Sequence, residues 1–498
     1  MTDTEKNPCG RESSMDPIAG FLSGLLLMIP GVFPILSPVQ LIAFVPLLLV
    51  LRRTASWRQR LRIGLLMGLG FVAPQVLLLR LPAPVAMILV AYLLALIIAF
   101  VCVCSFLVRQ MGIWSSFAFG ALLVVLDWLT ITGLPMWGTA QSFARSWSWY
   151  PQAVAFTSIT GISGIMFVLG VMQSLGVTFA LQKRRRVASL VCLIAVLVIV
   201  AGMDIAIPGG RPSGRLKVAA VGWEYLGAPD DVDPGRPDGF RTLCEEPLVE
   251  ATRRGARLIV FPETAFAVSD DSDSTVLARF GDLCHEHHVC VAVGYYNAKS
   301  NENRVAVIGP EGILGRYTKT HLTPFEDYSK GTGEPQVVTI DGIRVGAMIC
   351  QDDNYTDLSR KYALQHTEVL VIPTNDWGPI RKAHLQNTIH RAIESRFAIV
   401  RAASNGISAI ISPEGERLAT FDHWRHGAGM IVADVPVYQV WREGTWGEWI
   451  SGWLYAGLSA RQTPYSQFGN WFVAACGVFL LGYSGSCCLT SRAGWRSA

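Results

Sequence analysis

Seven stretches without a single Asp, Glu, Lys or Arg dominate this 498-residue chain: 18–51, 63–79, 81–108, 110–126, 146–182, 187–203 and 462–491. A helix that crosses the hydrocarbon core needs about 20 predominantly apolar residues. The first run is broken by Pro30-Gly31 and Pro34 and is long enough for two spans. The reading is therefore about eight membrane spans, seven before residue 208 and one after residue 470. Composition agrees, with 51% hydrophobic and only 16% charged residues, too apolar for a soluble protein of this length.

The short loops set the orientation. Arg52, Arg53, Arg58, Arg60 and Arg62 fall between spans two and three, Arg109 between four and five, and Lys183 to Arg186 between six and seven. Under an eight-span reading all three loops lie on one side, with Arg492 and Arg496. Positive loops stay cytoplasmic. The segment 211–465 is then expected outside the cytoplasm. This divides the chain into helices over 1–210, an outer domain over 211–465, and a last span with a short tail over 466–498. The N-terminus is polar through Asp16 and shows no cleavable signal pattern, so the first apolar stretch is expected to be retained. The net charge of +4 is accounted for by topology and forms no nucleic-acid stripe. Asp127 and Asp204 are the candidate charges within the spans, and pairing between helices is the expected role.

From Leu216 the texture changes to short β-branched runs alternating with amphipathic segments. Strands are expected at 216–223, 257–263, 289–296, 304–309, 344–350, 369–374 and 398–403, with helices near 240–254, 274–288 and 380–396. That alternation implies a layered α/β domain. Cys244, Cys284 and Cys290 lie in this outer domain, where a disulfide is permitted, and no cysteine pair has zinc-ligand spacing.

Three residues at the ends of strand-like runs carry the chemistry. Glu263 ends Leu258-Ile-Val-Phe-Pro-Glu, Lys319 ends Gly315-Arg-Tyr-Thr-Lys, and Cys350 ends Arg344-Val-Gly-Ala-Met-Ile-Cys. A thiol, a carboxylate and an ammonium are what thioester chemistry on an ester or amide requires. The lysine is expected to favour the thiolate and to stabilise an oxyanion, and the carboxylate to move protons.

Strand-end Glu, Lys and Cys in this order resemble the nitrilase (carbon–nitrogen hydrolase) superfamily. Nearly the whole chain is similar to its membrane branch, the apolipoprotein N-acyltransferase family. The likeness rests on Phe-Pro-Glu-Thr-Ala (261–265), Lys-x-His-Leu-x-Pro-Phe (319–325), Val-Gly-x-x-Ile-Cys (345–350), Thr-Asn-Asp (374–376), His384 with Arg391 and Glu394, Arg401 with Asn405, and Thr463-Pro-Tyr through Trp471. It implies a membrane helical bundle carrying an αββα sandwich, in a bacterial inner membrane with the catalytic domain periplasmic. It implies transfer of an acyl chain from a phospholipid, through a Cys350 thioester, to the N-terminal amine of a diacylglyceryl-cysteine lipoprotein, with no metal or organic cofactor. Glu263 would be the general base and acid, and Lys319 with the backbone N–H of Gln351 would hold the oxyanion. Asp352, Asn375, Trp446 and Trp449 are the candidate substrate contacts.

The chain departs from the family in places. Glu326-Asp327 stands where the family has Gly-Glu, so the second carboxylate is either displaced to Glu326 or shortened at Asp327. Gln351-Asp352 stands for Tyr-Glu. The interval from Lys319 to Cys350 is short and polar, without an obvious lipid-facing helix, and the aromatic cluster Trp446, Trp449, Trp453 and Tyr455 is a candidate substitute. That short interval also keeps a membrane-anchored amidase open as an alternative.

Overall fold

The computed structural model describes residues 15–54, 56–79, 83–108, 112–134, 137–207, 212–223, 237–271, 274–376, 378–438 and 462–496. The N-terminal part is a bundle of α1 (Met15–Val32), α2 (Val45–Leu51), α3 (Trp57–Leu79), α4 (Ala83–Val108), α5 (Ile113–Thr132), α6 (Gly164–Leu181) and α7 (Arg186–Ala206). Among the described residues, six segments are long and apolar enough to cross a membrane, counting the 3₁₀ turn at Pro34–Ile42 together with α2. Two further apolar helices, 16–32 and 471–487, are shorter. The eight helical segments match the eight expected spans, with one correction. The uncharged run 146–182 forms a span only from Gly164, because Pro151 and Gly161 interrupt it and residues 145–163 fold into short turns. Within the bundle, Asp127 on α5 accepts from Ser142 Oγ (3.0 Å), the Phe143 backbone N–H (2.7 Å) and Ser163 Oγ (2.8 Å). It therefore anchors those turns.

The α/β domain contains helices α8 (Glu246–Arg253), α9 (Thr275–His287), α10 (Thr356–Leu364) and α11 (Arg381–Ser395), and the chain returns to the bundle with α12 (Trp471–Arg496). Its strands are β1 (Gly214–Gly222), β2 (Leu258–Val260), β3 (Phe266–Val268), β4 (Cys290–Asn297), β5 (Glu302–Gly309), β6 (Gly312–Thr318), β7 (Val337–Ile340), β8 (Ile343–Ala347), β9 (Val369–Asn375), β10 (Ala398–Ser404), β11 (Ile407–Ile411), β12 (Arg417–Asp422) and β13 (Gly429–Val437). One sheet runs β13-β1-β2-β4-β5-β6, with β3 added against β4, and the other runs β12-β11-β10-β9-β8-β7. Parallel pairs hold the centres, with Val218 opposite Leu258 and Leu258 opposite Cys290 in one sheet, and Val345 opposite Val369 and Val369 opposite Ala398 in the other.

Burial on both faces explains the continuous apolar runs. Successive side chains point to opposite faces of a strand. Val218, Ala220, Leu258 and Val260 accordingly face the second sheet, while Ala219, Val221, Ile259 and Phe261 pack with Phe240, Leu248 and Phe280 under the helices. The result is the expected αββα sandwich. Cys244, Cys284 and Cys290 are free and buried in it.

Helix α11 is an instructive exception to amphipathic patterning. Every residue from His384 to Ser395 is buried, including His384, Asn387, His390, Arg391 and Glu394. The helix covers the second sheet on one side and meets the turns of the membrane part on the other. Arg145 Nε donates to Gln386 Oε1 (3.0 Å), and the Ile162 N–H donates to Glu394 Oε1 (2.8 Å). Two of its polar side chains, Gln386 and Glu394, are thus partnered by the membrane part instead of by water.

Candidate active site

The strand ends bring Glu263, Lys319 and Cys350 together at one edge of the sandwich. Lys319 is fully buried, and its Nζ donates to Glu263 Oε1 (2.7 Å) and Glu326 Oε1 (2.6 Å). Glu263 also accepts from Asn303 Nδ2 (2.7 Å) at Oε1 and from the Asn375 backbone N–H (2.7 Å) at Oε2. Cys350 Sγ donates to the Asn375 carbonyl (3.6 Å). Asn375 therefore touches both the carboxylate and the thiol. Cys350 (φ +44°) and Thr264 (φ +45°) both sit in the left-handed region. For a residue with a Cβ this costs on the order of 1–3 kcal/mol, and such strain gathers at functional sites.

Asp352 holds the Cys350 turn. Its carboxylate is fully buried and accepts from the Ile349 N–H (3.1 Å), Tyr317 Oη (2.8 Å) and the His321 N–H (2.8 Å). This ties the nucleophile's turn to the loop after Lys319. The expectation of a substrate contact at Asp352 gives way to a positioning one, because its acceptor capacity is used within the protein. Gln351 is buried, and its Oε1 accepts from Asn354 Nδ2 (2.8 Å). The Asn354 carbonyl in turn accepts from Thr139 Oγ1 (3.0 Å) of the membrane part. Gly138 (φ +50°) permits that approach, since a Cβ there would stand 2.2 Å from the Asn354 carbonyl oxygen.

The structure also decides between the two candidate second carboxylates. Glu326 reaches Lys319 and accepts from the Thr323 N–H (2.8 Å), whereas the Asp327 side chain is exposed. The acid is displaced along the chain, not shortened.

Charge in this site follows from burial and pairing. Burial raises the Glu326 carboxyl, and Lys319 opposes that rise. Burial alone would lower the Lys319 ammonium, but Glu263 first, and then Cys350 and Glu326, outweigh it and hold the group protonated. The Cys350 thiol is pushed well above its ordinary value by burial, then by Glu263, with Lys319 opposing. Lys319 thus acts in the expected direction, towards the thiolate, but burial and then Glu263 outweigh it. Burial first, and then the carboxylate of Glu263, push the thiol up, so its attack calls for a base.

Behind the Cys350 turn lies a buried four-charge network that sequence reasoning placed only as motif fragments. His384 sits between Asp353 Oδ1 (2.8 Å from Nε2) and Asp376 Oδ1 (2.7 Å from Nδ1), and Arg401 Nη2 donates to Asp376 Oδ2 (2.7 Å). Burial would lower His384, but Asp353 first, joined by Asp376, outweighs it and carries the imidazolium up to about 9, against Arg401. Asn303 was missed altogether, since it lies between Glu302 and Arg304 at the polar start of β5, where the sequence carries no signal of burial. Trp446, Trp449, Trp453 and Tyr455 lie outside the described residues.

A cavity of about 250 Å³ reaches Cys350 from the membrane part. Leu27 and Met28 of α1, Phe71 of α3, and Leu89 and Leu93 of α4 line its apolar end, and Phe325, Glu326, Cys350 and Asn375 line its reactive end. The interval from Lys319 to Cys350 thus does supply an apolar residue to this cavity. Phe325 is 56% exposed and stands at this cavity.

Facing mixed sheets with Glu, Lys and Cys at their strand ends, carried on a bundle of apolar helices, define a multi-pass membrane enzyme of the carbon–nitrogen hydrolase class. The carbon–nitrogen hydrolase family model matches residues 217–443, and that of the apolipoprotein N-acyltransferase N-terminal domain matches residues 23–175. An apolipoprotein N-acyltransferase of Geobacter metallireducens is 26% identical over 455 residues, covering 80% of this chain and 86% of that protein. Deaminated glutathione amidase of Rattus norvegicus is 26% identical over 273 residues, covering 46% of this chain and 82% of that protein. Among solved structures, an amidase from Nesterenkonia sp. AN1 aligns with 18% identity and a TM-score of 0.38, over 44% of this chain and 93% of that one. The chain belongs to the apolipoprotein N-acyltransferase family, the membrane branch of the nitrilase superfamily.

Proposed function

We propose that this protein transfers a fatty acyl chain from a phospholipid to the N-terminal amine of a diacylglyceryl-cysteine lipoprotein, using Glu263, Lys319 and Cys350. The supporting observation is the cavity that runs from Cys350 into apolar side chains of α1, α3 and α4. A small polar amide needs no such chamber, whereas an acyl chain gains about 0.8 kcal/mol for each methylene it buries.

In the first half-reaction Glu263 takes the thiol proton and Sγ attacks the ester carbonyl. Lys319 and the Gln351 backbone N–H face the developing oxyanion. The carbon–oxygen bond breaks, and Glu263 returns the proton to the departing lysophospholipid oxygen. In the second, the lipoprotein amine attacks the thioester, the carbon–sulfur bond breaks, and Glu263 carries a proton from nitrogen to sulfur. The family likeness supports a bacterial inner-membrane location, and the charged loops support residues 211–465 lying outside the cytoplasm. Both lipid-anchored substrates then share a plane with the site, which raises their effective concentration.

The test is acyl trapping. Purified protein incubated with acyl-labelled phospholipid and then denatured carries a hydroxylamine-labile label, and Cys350→Ala carries none. A label that persists in Cys350→Ala, or a wild type without label, defeats the thioester reading. Adding a diacylated lipopeptide then separates transfer from hydrolysis.

A further inference from the structure

A second cavity, of about 270 Å³, adjoins the site at Glu263 and Asn375. Trp223, Tyr296, Tyr328, Ser404 and the turn from Glu263 to Ala265 line it, all from the α/β domain and none from a membrane helix. Among the described residues, Asn375 is the one that lines both this chamber and the membrane-side cavity. Its backbone N–H is given to Glu263 and its carbonyl accepts from Cys350. Its side chain is fixed as well, since Oδ1 accepts from Asn405 Nδ2 (2.9 Å). Asn405 is held in turn by its own N–H, which donates to the Trp223 carbonyl (3.0 Å) at a left-handed φ of +52°.

We propose that Asn375, pinned by Asn405, is the barrier between the second chamber and the Cys350 thioester, and that it sets how the acyl-enzyme partitions between an amine and water. The inference rests on the acyl-transfer reading above. A thioester beside Glu263 is open to hydrolysis. A water oxygen bonds to the carbonyl carbon, the carbon–sulfur bond breaks, Glu263 carries the water proton to Sγ, and a free fatty acid leaves. Water is far more concentrated than any lipoprotein amine, so transfer prevails only where water is kept out. The membrane-side cavity, lined by Leu27, Phe71 and Leu93 together with Gln75, Gln141 and Arg145, is the one an acyl chain would fill, which leaves the second chamber as the side on which a wall is needed. Asn375 occupies that wall.

Full-length protein in phosphatidylethanolamine vesicles carrying a labelled acyl chain, with a diacylated lipopeptide as acceptor, provides the test. The ratio of free fatty acid to N-acylated peptide is measured for the wild type, Asn375→Gly and Asn405→Gly. Both products come from one acyl-enzyme, so a loss of folded protein lowers them together and leaves the ratio unchanged. The ratio is expected to rise about tenfold in Asn375→Gly as water gains entry, and in the same direction in Asn405→Gly. The latter keeps the left-handed backbone and removes the pin. A wild-type ratio in Asn405→Gly, with acyl-enzyme still forming, overturns the proposal even if Asn375→Gly does not fold. A wild type that never forms the labile acyl-enzyme defeats the underlying reading instead, so the two failures are distinct.

Discussion

Glu326→Gln against Asp327→Asn separates two adjacent acids that the sequence leaves equivalent. Glu326 makes two bonds with separate oxygens, accepting from Lys319 Nζ at 2.6 Å and from the Thr323 N–H at 2.8 Å. A glutamine keeps one acceptor oxygen and turns an NH₂ towards the other donor, so one of those bonds is lost. A hydrogen bond to a charged group contributes about 1.5–3 kcal/mol, which corresponds to a slowing of about ten- to a hundredfold. Asp327 has an exposed side chain, and its carbonyl, not its carboxylate, accepts from Asn301 Nδ2 (2.7 Å). A surface change of that kind stays within about 0.5 kcal/mol, or roughly twofold. The assay is the single-turnover rate of acyl-enzyme formation at saturating labelled phospholipid. There is also a pH signature. Burial raises the Glu326 carboxyl, so protonation removes its partnership with Lys319 at a pH above the ordinary carboxylate range. The acid limb of the rate profile is expected to move to lower pH in Glu326→Gln. Asp327→Asn slowing acylation more than Glu326→Gln would refute the assignment of the second carboxylate.

Three further outcomes follow from the geometry. Leu93→Trp narrows the apolar end of the membrane-side cavity. Each methylene it excludes costs about 0.8 kcal/mol, or about fourfold in binding, so long-chain donors lose ground while short-chain donors do not, as read from acylation rates across a chain-length series. His384 is held up to about 9 in the fold, against about 6.5 unfolded. Its stabilisation is complete below pH 6.5 and is lost as pH rises through about 9, so Tm should fall over that window, and the fall should shrink in His384→Gln. Gly469 has φ +58°, and a Cβ there would stand 2.6 Å from Arg360 Nη1. Arg360 meanwhile donates to the carbonyls of Tyr465 (3.2 Å), Ser466 (3.1 Å) and Gln467 (3.1 Å). Gly469→Ala is expected to cost about 1–3 kcal/mol, seen as a lower Tm in detergent.

Period and charge settled much of this protein before any coordinates. Uncharged runs of membrane-spanning length can only be helices in lipid, and buried strands read as unbroken β-branched runs, so the bundle, the layered domain and its strand-end Glu263, Lys319 and Cys350 were legible in one dimension. The same signal does not separate residues 146–163, whose turns pack against α11, from the span that follows them. It could not place the polar face of α11, because that face is buried against chain more than 200 residues away. Glu326 and Asp327 are neighbours with the same charge, and only the direction of each side chain tells them apart. The upward push on the Cys350 thiol and the place of Asn375 in the lining of both chambers likewise arise from tertiary structure. Both depend on how much water and how many charges surround a group, and sequence spacing does not carry that information.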